Sequence, residues 1–191
     1  MGKVVVNISL TLDGVMQAPG RSDEDTRGGF EYGGWATPYF DRVMGAVAAE
    51  GMAKESALLF GRRTYEDFYS VWPSRTGNPF TEVLNKSQKY VASTTLEEPL
   101  PWENSTLLKG DAAAAVAELK AQSDMDLVVL GSGVLVQSLM RGNLVDELVL
   151  SIHPLVLGTG RRLFADGVPY TTLELVDSKT TTTGVVIATY R

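Results

Sequence analysis

Cysteine is absent from this chain of 191 residues, and histidine occurs once, at position 153. Without cysteine there is no disulfide framework, no thiolate nucleophile and no cysteine-ligated zinc or iron–sulfur site. One histidine cannot build a multi-histidine centre, so we expect no metal site, and a Ser-His-Asp triad would have to use His153. That residue precedes Pro154 in an apolar stretch, where a structural role is the simpler interpretation.

Positive charge is also scarce, since 17 Lys and Arg stand against 23 Asp and Glu, for a net charge of −6. A negative chain binds phosphodiester backbones poorly, so we expect no nucleic-acid partner. No apolar run approaches the roughly 20 residues of a membrane helix, and residues 4–6 pass into polar residues too soon for a signal peptide. These absences predict a cytoplasmic protein without a membrane partner. The length and the 44% hydrophobic content predict a single folded domain over residues 1–191.

Predicted strands and helices alternate along most of the chain. Strands are predicted at 3–10, 57–60, 90–93 and 126–130, and helices at 37–51, from 64, at 112–122 and at 134–141. Three strand-like segments, 148–157, 172–176 and 184–190, then follow one another. This order predicts an α/β fold with a mostly parallel sheet, an antiparallel C-terminal edge and flanking helices.

Two helix starts carry recognisable capping signals, and one long loop interrupts the pattern. Thr37 is predicted to cap a helix that has Pro38 in its first position, and Thr64 has the spacing of a capping box with Asp67. Residues 19–34 are irregular and rich in glycine and acid, and loops of that length are often functional. The acidic run at 23–25 is predicted to be solvated.

Two strand–turn–helix junctions are the clearest chemical signal: Gly-Arg-Arg-Thr at 61–64 and Gly-Ser-Gly at 131–133. A helix N-terminus offers free N–H groups and the positive end of its dipole to a phosphate, and arginine suits bidentate phosphate contact. A plain helix cap with two solvated arginines explains the first junction equally well. Tight strand–helix packing is the commoner explanation of the second, where Val136 replaces the third glycine of a Rossmann fingerprint. Two junctions in one small domain favour a ligand with two phosphates, such as a dinucleotide.

An ordered set of segments extends this interpretation to nearly the whole chain: residues 9–14 (Ser-Leu-Thr-Leu-Asp-Gly), 59–66, 129–133 and 146–164, the last containing Gly-Thr-Gly-Arg-Arg-Leu-Phe. The set resembles the dihydrofolate reductase superfamily. Within it, the chain is most similar to the C-terminal reductase domain of the bacterial bifunctional riboflavin-biosynthesis deaminase-reductase, without the deaminase domain. The resemblance implies a three-layer dihydrofolate-reductase-like fold and a homodimer.

The resemblance also implies an NADPH-dependent reductase that transfers a hydride to a small heterocyclic or carbonyl substrate, as in 5-amino-6-(5-phosphoribosylamino)uracil reductase. Arg62 would meet the adenosine 2′-phosphate, assisted by Ser93 and Thr94. Arg63 and Thr64 would hold the pyrophosphate with backbone N–H groups of the second junction. The implied cofactor-binding residues are Gly61, Arg62, Arg63, Thr64, Ser93, Thr94, Gly131, Ser132, Gly133, Val134 and Leu135.

Two positions depart from the dihydrofolate reductase pattern. The proton-assisting acid of folate reductases has its nearest counterpart in Asp41, which is also simply favourable near a helix N-terminus. Gly131-Ser132 stands where those enzymes have a Gly-Gly pair joined by a cis peptide, which costs about 3–4 kcal/mol between non-proline residues. Two other interpretations therefore stay open: a non-catalytic nucleotide-binding or dimeric module, and a true dihydrofolate reductase.

Overall fold

One eight-stranded sheet organises residues 2–191, the part of the chain that the computed structural model describes. Its strands are β1 (Val4–Thr11), β2 (Ser56–Gly61), β3 (Lys89–Ala92), β4 (Ser105–Leu108), β5 (Asp126–Leu130), β6 (Glu147–His153), β7 (Leu175–Thr180) and β8 (Val186–Tyr190). Their order across the sheet is β4-β3-β2-β5-β1-β6-β8-β7. Strands β1 to β6 pair in parallel, whereas β8 is antiparallel to both of its neighbours. The predicted mostly parallel sheet with an antiparallel C-terminal edge is confirmed.

Five helices flank the sheet: α1 (Arg42–Met52), α2 (Arg62–Val71), α3 (Pro79–Lys86), α4 (Ala112–Gln122) and α5 (Gly133–Arg141). Successive residues of a strand face opposite sides of the sheet. On one side, Ala57 and Leu59 of β2 are buried against α4 and α5. On the other side, Leu58 and Phe60 are buried against α2 and α3. The sheet therefore lies between two helical layers, which is the expected three-layer, dihydrofolate-reductase-like fold. None of the helices in residues 2–191 is long and apolar enough to cross a membrane.

The predicted start of the first helix is wrong. Thr37–Tyr39 form only a short 3₁₀ turn, because Phe40 is extended (φ −66°, ψ 128°) and breaks the helical path. Helix α1 begins at Arg42, and Asp41 is its N-cap. The carboxylate of Asp41 accepts hydrogen bonds from the N–H groups of Val43 at 3.0 Å and Met44 at 2.9 Å.

The predicted capping box of the second helix is wrong too. Helix α2 begins at Arg62 with Gly61 as its N-cap, so Thr64 lies inside the first turn. Thr64 and Asp67 have partners elsewhere: the Thr64 hydroxyl accepts from Ser132 N–H at 3.2 Å, and Asp67 pairs with Arg21. Tertiary contacts therefore override the local capping signal. Strand β6 also ends earlier than predicted, at His153, directly before Pro154.

Candidate functional site

A cleft of about 1180 Å³ opens beside the carboxyl ends of β2, β3 and β5 and along β1. Its walls are the first turns of α2 and α5, residues 16–19 and 23–27 of the long loop, and the Arg161-Arg162 pair. Ligands of open α/β sheets bind at this edge, outside the carboxyl ends of the strands. The cleft is therefore the candidate active site.

The first junction brings uncapped backbone and two arginines to the cleft. Gly61, the N-cap of α2, has no side chain that could cap this helix. The first backbone N–H groups of α2 are therefore free to bind a ligand. The Arg62 guanidinium lies 3.4 Å from the Glu66 carboxylate, and its side chain is 38% exposed. Arg63 makes no hydrogen bond or ion pair within residues 2–191. Both arginines line the cleft.

The second junction turns through two left-handed residues, Gly131 (φ 59°) and Ser132 (φ 56°). The peptide bond between them is trans, so the cis bond considered from the sequence is absent here. Ser132 is the N-cap of α5, yet its side chain does not cap that helix. The first N–H groups of α5, at Gly133, Val134 and Leu135, thus face the cleft uncapped.

Hydroxyl groups join the two junctions to each other. Gly61 N–H donates to Ser132 Oγ at 3.0 Å, and Ser132 N–H donates to Thr64 Oγ1 at 3.2 Å. The Ser132 hydroxyl in turn donates to the carbonyl of Leu130 at 3.3 Å. The N-termini of α2 and α5 are consequently held side by side, and their dipoles converge on one region of the cleft. Such an arrangement suits a diphosphate.

All of the cofactor-binding residues expected from the resemblance line this one cleft: Gly61, Arg62, Arg63, Thr64, Ser93, Thr94, Gly131, Ser132, Gly133, Val134 and Leu135. Ser93 and Thr94 follow β3, next to the α2 junction. The Ser93 oxygen accepts from the N–H groups of Thr95 and Leu96, both at 3.1 Å, which fixes the turn.

Asp41 is the exception, because it does not line the cleft. Besides capping α1, its carboxylate accepts from the hydroxyl and the N–H of Thr182, each at 2.6 Å. The Thr182 hydroxyl, followed by the backbone donors, lowers the pKa of Asp41 to about 2. A carboxylate of this kind holds no proton near neutral pH, so the geometry favours the alternative interpretation, a helix cap, over a proton donor.

The long loop and the residues before it are folded against the cleft by contacts that no sequence pattern predicted. Gln17 is 3% exposed; its amide nitrogen donates to the carbonyls of Asp25 and Arg27, and its oxygen accepts from Arg161 N–H. Within the acidic run 23–25, Asp23 is solvated as predicted, with a side chain that is 81% exposed, whereas Glu24 and Asp25 are only partly exposed; all three residues line the cleft. No local signal shows this, since the Gln17 and Arg161 partners are 144 residues apart.

The Gly-Thr-Gly-Arg-Arg segment forms the neighbouring wall and is anchored by Asp13. That carboxylate accepts from Thr11 Oγ1 at 2.6 Å, Gly158 N–H at 2.8 Å and Leu157 N–H at 3.2 Å. The Thr11 hydroxyl is the main cause that lowers the pKa of Asp13 to about 2. Gly160 (φ 112°) is required as glycine, since a Cβ there would lie 2.8 Å from the Phe30 ring.

The chain is similar in sequence to known proteins. The family model of the RibD C-terminal domain matches residues 2–187. The chain is 28% identical over 194 residues to the uncharacterized protein YyaP of Bacillus subtilis (strain 168), covering 98% of this chain and 94% of that protein. It is 31% identical over 152 residues to the uncharacterized protein YwjB of the same strain, covering 70% and 87%.

Two solved structures share the fold. A putative riboflavin biosynthesis protein from Shewanella sp. PV-4 superposes with a TM-score of 0.70 at 24% identity, covering 100% of this chain and 98% of that one. A pyrimidine reductase-like protein from Corynebacterium diphtheriae superposes with a TM-score of 0.68 at 13% identity, covering 100% and 91%. At these identities the likeness concerns the arrangement of strands and helices.

Proposed function

Since the chain belongs to the RibD C-terminal domain family, a family of reductases, we propose that it is an NADPH-dependent reductase acting on a small heterocyclic or carbonyl substrate. The observation that carries the proposal is the convergence of two uncapped helix N-termini with Arg62 and Arg63 in one cleft. A dinucleotide offers phosphates to both helix N-termini. The scarcity of histidine and cysteine agrees with this chemistry, because a bound nicotinamide carries the reactive hydride itself.

The residues of the cleft fit NADPH at each of its charged groups. Arg63, whose guanidinium has no partner within residues 2–191, would hold the pyrophosphate together with the N–H groups of α2 and α5. Arg62 would meet the 2′-phosphate, because its 3.4 Å contact with Glu66 is weak enough to be replaced. The protein's own work is to bind the phosphates, orient the rings and exclude water.

The cleft is also large enough for a second molecule, since a volume of about 1180 Å³ exceeds the about 300–1,000 Å³ of an ordinary small-ligand site. Its floor carries Asn7 and Ser9 of β1, whose side chains make no hydrogen bond within residues 2–191. An amide and a hydroxyl there suit a polar heterocycle. The names of the two solved relatives, a riboflavin biosynthesis protein and a pyrimidine reductase-like protein, support an aminopyrimidine as that substrate.

The cofactor assignment is tested by thermal unfolding with NADPH and with NADH. NADPH is expected to raise the melting temperature more than NADH at equal concentration. Arg62→Ala should weaken NADPH far more than NADH, whereas Arg63→Ala should weaken both alike. The absence of any shift with either dinucleotide at saturating concentration would refute the reductase assignment, and an equal loss in Arg62→Ala would remove that residue from the 2′-phosphate.

Turnover separates the remaining interpretations. The wild-type protein is incubated with NADPH and a panel of aminopyrimidines, pteridines (dihydrofolate among them) and flavins, and loss of nicotinamide absorbance is followed. Reduction of an aminopyrimidine is the expected result. NADPH binding without turnover of any compound would indicate a non-catalytic binding module, and turnover of dihydrofolate would indicate a true dihydrofolate reductase.

We also propose that the protein forms a homodimer. Strand β7 is one of the two edge strands of the sheet, the other being β4, and all six residues of β7 are exposed. Such an edge presents unpaired N–H and C=O groups to a second strand. Light scattering is expected to give twice the chain mass of 20.6 kDa. A monomeric mass throughout the micromolar range would contradict the dimer.

A further inference from the structure

Glu24 differs from every other carboxyl group that lines the cleft. Each of the others forms an ion pair with an arginine: Asp23 and Asp67 with Arg21, Asp25 with Arg27, and Glu66 with Arg62. Glu24 forms none within residues 2–191. It is therefore the one carboxyl in the described cleft that forms no ion pair with an arginine.

The contacts of Glu24 leave one of its oxygens available. Oε2 accepts from Gly20 N–H at 2.7 Å and from Arg21 N–H at 3.1 Å, whereas Oε1 makes no hydrogen bond within residues 2–191. Burial is the main cause that raises the pKa of this carboxyl. The nearby Asp67 carboxylate raises it further, and the two N–H donors and the Arg21 guanidinium oppose the shift.

We propose that Glu24 is the proton donor of this reductase, an inference that rests on the proposed function. The residues that line the cleft include no Cys, His, Lys or Tyr, and arginine keeps its proton at physiological pH. Reduction of a C=N or C=O bond needs a hydride on carbon, which bound NADPH would supply, and a proton on the heteroatom. The Oε1–H bond of Glu24 breaks as the heteroatom–H bond forms, and the carboxylate then regains a proton from water.

The ion pair between Arg21 and Asp67 positions this acid. Arg21 Nη2 lies 2.5 Å from Asp67 Oδ1, and the two side chains are only 29% and 20% exposed. Because Glu24 is hydrogen-bonded to the backbone N–H of Arg21, fastening Arg21 to α2 also fixes the carboxyl at the cleft. Arg21 and Asp67 therefore act through Glu24, as positioning residues.

The first test follows the protonation of Glu24 in the protein without cofactor. Glu24→Gln keeps the acceptor for both N–H groups and removes the titration. A carboxyl whose folded pKa is raised binds more protons folded than unfolded, so its contribution to stability is complete at acid pH and declines as pH rises through the folded pKa. The melting temperature of Glu24→Gln should therefore exceed that of wild type by the largest amount near pH 7, and this difference should shrink towards pH 4.

The matched control is Glu31→Gln, an exposed glutamate of the same loop that does not line the cleft. Its melting temperature should follow wild type at every pH. If the difference between Glu24→Gln and wild type is independent of pH, or widens towards acid pH, Glu24 does not hold a proton and the proposal is overturned.

The second test is turnover of the panel compound that wild type reduces with NADPH. Glu24→Gln is expected to lower kcat by about 10²–10⁴-fold at pH 7 with KM for NADPH unchanged, while Glu24→Asp keeps part of the activity and Glu31→Gln all of it. Full activity of Glu24→Gln overturns the proposal and leaves the reductase assignment intact. Failure of wild type to bind NADPH overturns both.

Discussion

Loss of the ion pair between Arg21 and Asp67 should free the loop from α2. In residues 2–191 this pair is the only hydrogen bond or ion pair that joins residues 18–34 to that helix, and it spans 46 positions in sequence. The guanidinium contacts both carboxylate oxygens, at 2.5 and 3.3 Å. Removing either partner leaves the loop attached to the C-terminal half of the chain but no longer to the other side of the cleft.

The geometry sets the size of the effect. Exposed ion pairs contribute about 0.2–1 kcal/mol, and breaking fully buried pairs costs about 3–5 kcal/mol. A two-point contact between side chains that are 29% and 20% exposed falls between these classes. We expect loss of the pair to cost about 1.5 kcal/mol, which corresponds to about a tenfold change in the equilibrium between the loop fastened to α2 and the loop released from it.

Hydrogen exchange of the backbone amides in residues 20–34 measures this equilibrium directly. Arg21→Ala and Asp67→Asn should each accelerate exchange about tenfold, and the double variant should be no faster than either single variant. Arg191→Ala, which breaks an ion pair with Glu147 elsewhere on the surface, is the control and should leave the loop unchanged. Unaltered exchange in the single variants, or rates that multiply in the double variant, would refute the role of the pair.

Three further variants test the anchors of the site. Because the folded pKa of Asp13 is depressed, its carboxylate stabilises the fold above the unfolded pKa near 3.8, and this stabilisation is lost as pH falls towards 2. Asp13→Asn should therefore flatten the fall of the melting temperature over this acid range. An unchanged fall would contradict the role of Asp13. Gly160→Ala should lower the free energy of unfolding in urea by about 2–4 kcal/mol. Gly158→Ala is the control and should cost less, because a Cβ at Gly158 (φ 73°) meets no atom within 4 Å. Equal effects would contradict the close packing at Gly160. Asp41→Asn should lower the melting temperature and leave kcat within about twofold of wild type, whereas a large loss of kcat would restore Asp41 as the acid.

The fold and the candidate cleft could be predicted from the sequence because their signals are local. Gly61 and Gly131 each end an apolar strand and precede a helical stretch, and the periodicity of the flanking residues shows both elements. The proposed acid, Glu24, could not be predicted in this way. Within its acidic run, Glu24 looks like a solvated residue, and it is contacts between residues distant in sequence, Arg21 with Asp67 and Gln17 with Arg161, that hold its loop against the cleft. Asp41 illustrates the reverse error, since its position in sequence suggested chemistry and its partners, above all Thr182, are structural.

The hydrogen bonds that join Ser132 to Gly61 and Thr64 have a consequence for affinity. The N-termini of α2 and α5 belong to two βα units, and the bonded residues Thr64 and Ser132 are 68 positions apart in sequence, yet hydrogen bonds within the protein hold the two N-termini side by side. The proposed dinucleotide would therefore not have to spend binding free energy on bringing them together, and that energy would be available for discrimination between ligands. The loop that carries Glu24 is held separately on the other wall, by the contacts of Gln17 and by the Arg21–Asp67 ion pair, so a substitution in that loop should change the substrate side of the proposed site and leave the paired helix N-termini in place.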